Sequence, residues 1–225
     1  MTVSPGNMNG WAFITESGTP TGTLVNGPGS PPAGTGSAEF TVLTSGDRLL
    51  LSTLNHNGLG LSEITTLSYS TYRQAGGSAL AVSLQFDIDT DSTDANTSWM
   101  GRLVYEAYYT QTVLDNTWQT WNTMTTGANW WFSGAPGNAT CSIGSPCTWA
   151  QVLTAFPNAA INGNTNLKGG GGWSGFIGNV DNLRLATQRF DTTYDFEAQN
   201  QVPEPSTLLL MSIGLAGLWA KRRRS

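Results

Sequence analysis

Charge is scarce in this 225-residue chain: 11% of its residues are charged, with 15 acidic side chains against 10 basic ones. Four of the basic residues, Lys221, Arg222, Arg223 and Arg224, fall within the last five positions. Residues 1–200 therefore hold six basic and fourteen acidic groups, a net charge of −8. So acidic a body offers no basic track for a phosphate backbone, and nucleic acid is set aside as a partner. Histidine is scarcer still. With only His56 present, no imidazole cluster is available for a metal or for acid–base chemistry. Glycine and proline, in contrast, supply 37 residues, and there are 23 aromatics, nine of them tryptophan. That is the composition of a loop-rich β protein, too apolar for a disordered stalk. About 200 residues suffice for one substantial core.

The C-terminal segment has three parts. Val202, Pro203, Glu204 and Pro205 open it, the uncharged apolar stretch Thr207–Ala220 follows, and Lys221–Arg224 close it. As a helix the middle stretch would span about 21 Å, short against roughly 30 Å of bilayer hydrocarbon. The basic end directs it to stop in the membrane with that end cytoplasmic and the body across the bilayer. The prolines keep Glu204 on an extended segment open to a processing enzyme. Motif, apolar span and basic end in this order resemble the PEP-CTERM sorting signal of Gram-negative bacteria. The resemblance implies recognition of Val202–Pro205 by an exosortase, removal of the helix, and release or attachment at the cell surface, in settings of exopolysaccharide and biofilm production. It implies a route and not an activity. Met1–Gly10 show no basic and apolar leader, so the expectation is an export signal upstream of this start.

Cys141 and Cys147 bracket a Gly/Pro-containing turn. Outside the cytoplasm this pair reads as a small loop disulfide, with free thiols as the alternative. Two further ligands that a zinc site requires are not in view.

The body reads as strands: Trp11–Thr15, Ala38–Leu43, Asp47–Leu54, Glu63–Tyr72, Ala79–Ile88, Gly101–Thr110, Trp173–Ile177, Asn179–Ala186 and Thr192–Glu197. Over Ala79–Ile88 the alternation of Leu80, Val82, Leu84, Phe86 and Ile88 predicts one buried face. Residues 17–37, rich in Gly, Pro, Ser and Thr, predict a long loop or loose surface arm, and Gly169–Gly172 a flexible hinge. One helix is expected, where Trp149, Val152, Leu153 and Phe156 recur at helical spacing behind a Thr148/Gln151 capping box and Pro157 limits extension. The expected fold is all-β, a jelly-roll-like sandwich over residues 1–197 with one short helix. A linker over 198–206, a hydrophobic transmembrane helix over 207–220 and a basic cytoplasmic end over 221–225 complete the chain. Leu67–Tyr72, Leu84–Asp89, Gly178–Leu185 and Thr193–Glu197 together resemble β-sandwich ectodomains of the carbohydrate-binding-module or laminin-G kind.

Three groups of residues invite a ligand. Asp87, Asp89, Asp91 and Asp94 leave a strand at close spacing and have two readings, oxygen ligands for calcium or a solvated polar loop. Asp181 shares a side with Leu183 and Leu185, so its carboxylate needs backbone N–H donors, an arginine or a cation. The sandwich resemblance implies a structural calcium as one answer there, with Asp195 or Glu197 as co-ligands, and a tied-down loop as the other. The third group is aromatic: Trp118 and Trp121, the adjacent Trp130 and Trp131, and Tyr108. Exposed rings stack on sugar faces, while buried ones serve only the core.

Catalysis finds no pattern. Glu63 and Glu106 are not paired as a glycosidase requires, His56 sits in a turn-like stretch as a surface or loop residue, and the expectation is a protein without enzyme activity. Two functions stay open: a surface or matrix protein that binds exopolysaccharide, and a structural or adhesive subunit making protein–protein contacts.

Overall fold

The computed structural model describes residues 1–77 and 80–198. In chain order the strands are β1 (Thr2–Val3), β2 (Trp11–Ser17), β3 (Thr21–Asn26), β4 (Gly36–Val42), β5 (Arg48–Thr53), β6 (Ile64–Ala75) and β7 (Ser83–Asp89). They continue with β8 (Arg102–Tyr105), β9 (Gln119–Asn122), β10 (Asn129–Phe132), β11 (Cys147–Thr148), β12 (Ala160–Gly170), β13 (Phe176–Thr187) and β14 (Asp191–Phe196). Among the described residues there is one α-helix, α1 (Trp149–Ala155), directly after β11. Its N-cap is Thr148, whose hydroxyl accepts the Gln151 N–H at 3.3 Å while the Gln151 side chain accepts the Thr148 N–H at 2.8 Å. This reciprocal cap is what starts a helix of only two turns.

Two seven-stranded sheets form a sandwich. In the first, β13 is central: β6 flanks it along one side, and β4 and then β14 along the other. The second runs β11-β10-β8-β7-β12-β5-β2. Between them lies one apolar core, where Phe40, Leu67 and Val180 of the first sheet face Leu51, Phe86, Leu103 and Trp130 of the second. Stacking of Phe86 on Trp130, with ring centroids 5.8 Å apart and planes 13° from parallel, ties β7 to β10 within that core. Such aromatic burial is the largest favourable contribution per side chain available here.

Several expectations are corrected. Residues 17–37 are not a loose arm, because β3 and the start of β4 lie within them and pair in register from Thr21↔Thr41 to Asn26↔Gly36. Backbone bonding to β4 makes an edge strand of a segment with few apolar residues to announce it. Gly169 and Gly170 are no hinge: they end β12, opposite Leu49 and Arg48 of β5. Gly170 has φ +103°, and a Cβ there would meet the Asp47 carbonyl oxygen at 2.2 Å, so the close approach demands glycine. Gly101–Thr110 is a shorter strand, β8, followed by a 3-10 turn over Ala107–Tyr109. His56 is buried, with Nδ1 2.9 Å from Thr165 Oγ1 and Nε2 3.1 Å from the Tyr194 hydroxyl. Burial pushes its pKa down to about 4.

The linker, the hydrophobic helix over 207–220, the basic end and the Val202–Pro205 motif lie outside the described residues. Among the described residues no helix is long and apolar enough to cross a membrane.

Candidate functional site

The outward face of the second sheet carries a polar floor. Ladder pairing sets Ser52, Asn166, Gln85, Val104 and Trp131 side by side across β5, β12, β7, β8 and β10. Here β7 departs from the one-buried-face expectation: Leu84, Phe86 and Ile88 enter the core, yet outward-facing Ser83, Gln85, Asp87 and Asp89 are buried too. Longer side chains of the same face fold over them. The floor groups satisfy one another, Ser52 Oγ donating to Asn166 Oδ1 at 2.6 Å and Gln85 Nε2 to Ser83 Oγ at 2.9 Å.

An ionic network forms one wall. Arg102 donates from Nε to Asp87 Oδ1 at 2.9 Å, and its Nη2 lies 2.7 Å from Glu16 Oε1. Glu16 Oε2 lies 3.0 Å from Lys168 Nζ, so one carboxylate bridges two cations. Burial opposes the charge on both Glu16 and Arg102. The hydrogen bonds outweigh it, holding Glu16 below the usual carboxylate range and Arg102 above the usual arginine range. Trp99 donates from Nε1 to the same Asp87 Oδ1 at 3.2 Å while its ring is 61% exposed. Trp131 is half-buried on the opposite flank. Together with Arg48 and Ser133 these side chains enclose an open groove of about 430 Å³.

Of the aromatic candidates, only Trp131 reaches this groove. Trp130 and Trp121 are fully buried, donating from Nε1 to Thr123 O and Thr71 Oγ1, each at 2.8 Å. Trp118 rests on Tyr72 with centroids 5.5 Å apart and donates to Pro28 O at 2.8 Å, pinning the 27–35 loop. Tyr108 is exposed and packs on Tyr109 at 4.3 Å. The sequence reading missed Trp99. Its signal is a lone tryptophan in the hydrophilic run 90–98 and its sequel, where no core needs one.

The acidic candidates are placed as follows. Asp87 is saturated by Arg102, Trp99 and Asn164, the last donating from N at 3.0 Å and from Nδ2 at 3.3 Å. Asp89 accepts the Asp91 N–H at 2.9 Å, Asp91 takes both donors of Thr93, and Asp94 accepts the Asn96 N–H at 2.7 Å. These are local turns along a polar loop.

Asp181 lies where the flank of β13 passes from β4 to β14, beside a bulge at Asn182. It accepts Ala33 N–H at 2.9 Å and Phe196 N–H at 3.1 Å, thereby tying the 27–35 loop to the last strand. Glu197 holds the same loop through Thr35, whose N and Oγ1 donate at 2.6 and 3.1 Å. A Cβ on Gly34 would collide with Glu197, so glycine admits this approach. Burial, helped by Asp195, pushes Asp181 up to about 7; burial and Glu197 push Asp195 up to about 6, and Asp195 Oδ1 is buried without a partner. Four of the six oxygens in this trio already accept donors. Among the described residues no group of three or more His, Cys, Asp or Glu side chains is arranged to hold a metal. Donors from the 27–35 loop and the last strand take up Asp181 and Glu197, whereas Asp195 Oδ1 has none.

Cys141 and Cys147 form a disulfide, with Cα atoms 5.3 Å apart. It sits against β10, Cys147 pairing with Trp130 and Cys141 O accepting the Phe132 N–H at 2.8 Å.

Comparison with known proteins adds the route. Residues 201–224 match the PEP-CTERM protein-sorting motif. The chain thus carries the signal of proteins that are exported and then membrane-anchored or sorted to the surface, and the motif implies processing by an exosortase. The disulfide is consistent with that location. The fold is similar to a family 11 carbohydrate-binding module from Clostridium thermocellum in complex with a beta-1,3-1,4-mixed-linked tetrasaccharide. The TM-score is 0.40 at 13% identity, over 80% of this chain and 89% of that one. The enzymatically active domain of bacteriophage CBA120 tailspike protein 4 is similar at TM-score 0.39 and 12% identity, over 77% of this chain but only 19% of that one. No curated protein matches the sequence.

Proposed function

We propose that this protein is an exported surface or matrix component whose sandwich binds exopolysaccharide in the groove between Trp99 and Trp131. The observation that carries the reading is a buried polar floor flanked by the exposed ring of Trp99 and the half-buried ring of Trp131. Flat rings cover the apolar faces of sugars, while Gln85, Arg102 and Lys168 supply directional polar contacts at the edge. An open groove suits a polymer, whose chain must pass through and out at both ends. The role is binding without turnover. Glu63, one of the two carboxylates a glycosidase would need, is spent on Arg189 at 2.6 Å on the other sheet's side of the molecule, away from Glu106 on the groove face. Processing at Val202–Pro205 would deliver this groove to the cell exterior. Retention of the protein on a polysaccharide, and its loss when Trp99 and Trp131 are changed together to Ala, tests the assignment.

A further inference from the structure

The groove gathers half of the body's few basic side chains into one place. Of the six basic residues in positions 1–200, three (Arg48, Arg102 and Lys168) line this one hollow, in a body of net charge −8. Two of these cations already share an internal carboxylate, Glu16, at 2.7 and 3.0 Å, and Asp87 holds Arg102 from below. Glu106 follows directly after β8, at the start of the Ala107–Tyr109 turn and within reach of the Lys168 charge. Arg48 differs from its neighbours. Among the described residues it pairs with no carboxylate, and its Nη1 donates only to Ser17 Oγ at 3.0 Å and Gly46 O at 3.3 Å. The neighbouring Asp47 carboxylate is turned away, accepting N–H groups from Thr19, Leu43 and Thr44 at 2.8–3.0 Å.

Resting on the polysaccharide reading above, we infer that the groove selects an acidic polysaccharide, one whose sugar units carry carboxylates, over a neutral one. A sugar carboxylate entering beside the rings meets the guanidinium of Arg48, whose planar fork matches it. Glu16 stands in the place a second carboxylate would take between Arg102 and Lys168, so it acts as an internal competitor. In an otherwise acidic body, a local cluster of cations also decides where an anionic chain can land at all.

The test is affinity electrophoresis of the full chain in non-ionic detergent, through gels containing polygalacturonate or a neutral β-glucan, read as the ratio of acidic to neutral retention. The expected ratio is about ten or more at low salt, falling toward one as salt rises. Arg48→Gln lowers the ratio several-fold, Arg48→Lys retains part of it, and Glu16→Gln raises it by freeing two cations. The last change is a gain, which misfolding cannot imitate. A wild-type ratio near one, with retention on both gels abolished by the Trp99/Trp131 double change, overturns the acidic selectivity and leaves the polysaccharide reading standing. A ratio unmoved by both Arg48→Gln and Glu16→Gln likewise overturns the selectivity. Retention on neither gel by a folded protein overturns both.

Discussion

Trp130 and Trp131 are consecutive in β10 and point to opposite faces of one sheet: the first is wholly buried against Phe86, the second flanks the outer groove. Strand alternation turns this adjacency into a separation of roles. Trp130→Ala therefore costs about 3–5 kcal/mol of stability through the cavity it leaves. Trp131→Ala changes the melting temperature little but weakens polysaccharide binding by about tenfold. Thermal melts of both variants beside binding isotherms check the split.

The buried ionisable groups give the stability curve two opposing limbs. Asp181 titrates at about 7 in the fold, above an unfolded value of about 3.9. Its favourable contribution is complete below pH 4 and is lost as pH rises through 7. His56, held near 4 against an ordinary value of 6.5, contributes above pH 6.5 and loses that contribution as pH falls through 4. At most the Asp181 limb is worth about 4 kcal/mol and the His56 limb about 3 kcal/mol. The two limbs oppose each other between pH 4 and 6.5 and level off above pH 7, so Asp181→Asn, which removes the falling limb, makes stability rise with pH up to 6.5 even though it sacrifices one acceptor. Denaturant midpoints at pH 5, 6, 7 and 8 read the slopes directly.

Calcium serves as a check on the carboxylate trio. Because Asp181 and Glu197 spend their oxygens on the 27–35 loop, millimolar calcium leaves the melting temperature within about 1 °C of a chelated sample. A calcium-dependent rise of several degrees would show that the loop donors yield to an ion.

The disulfide closes a small loop, its two cysteines six positions apart, so its chain-entropy contribution is about 2 kcal/mol. Changing both cysteines to Ser lowers the melting temperature by several degrees. Because Cys147 pairs with Trp130 and Cys141 with Phe132, the loss loosens β10 and reduces polysaccharide affinity along with stability.

What was legible in the residues follows from which signals are local. The α1 capping box, the Cys141–Cys147 bridge and the need of Asp181 for donors depend on spacing of a few residues, and the structure places each as those spacings require. The inward set of β7 was legible as well, because period two is a property of one strand. Its buried outward set was not, since burial of Gln85 and Asp87 depends on Trp99, Arg102 and Lys168 from elsewhere in the chain. Strand β12 reads as Asn and Gly, yet it is central in its sheet. Asn166 is bonded to Ser52, and that polar pair across strands carries no hydrophobic signal. His56 looked like a turn residue because its partners, Thr165 and Tyr194, are more than a hundred positions away. The groove is a product of sheet pairing, and no segment of the chain announces it.

Polysaccharide binding in the groove is tested most directly by retention of the full chain, in non-ionic detergent, on a panel of polysaccharides that includes matrix polymer from the producing cell. The Trp99→Ala/Trp131→Ala variant is run beside it and its fold checked by melting. Retention on at least one polymer is expected, reduced at least tenfold in the double variant with the melting temperature preserved. Retention equal in both proteins, or none by a well-folded wild type across the whole panel, would contradict it and turn attention to the open edge of β3 as a protein-contact surface.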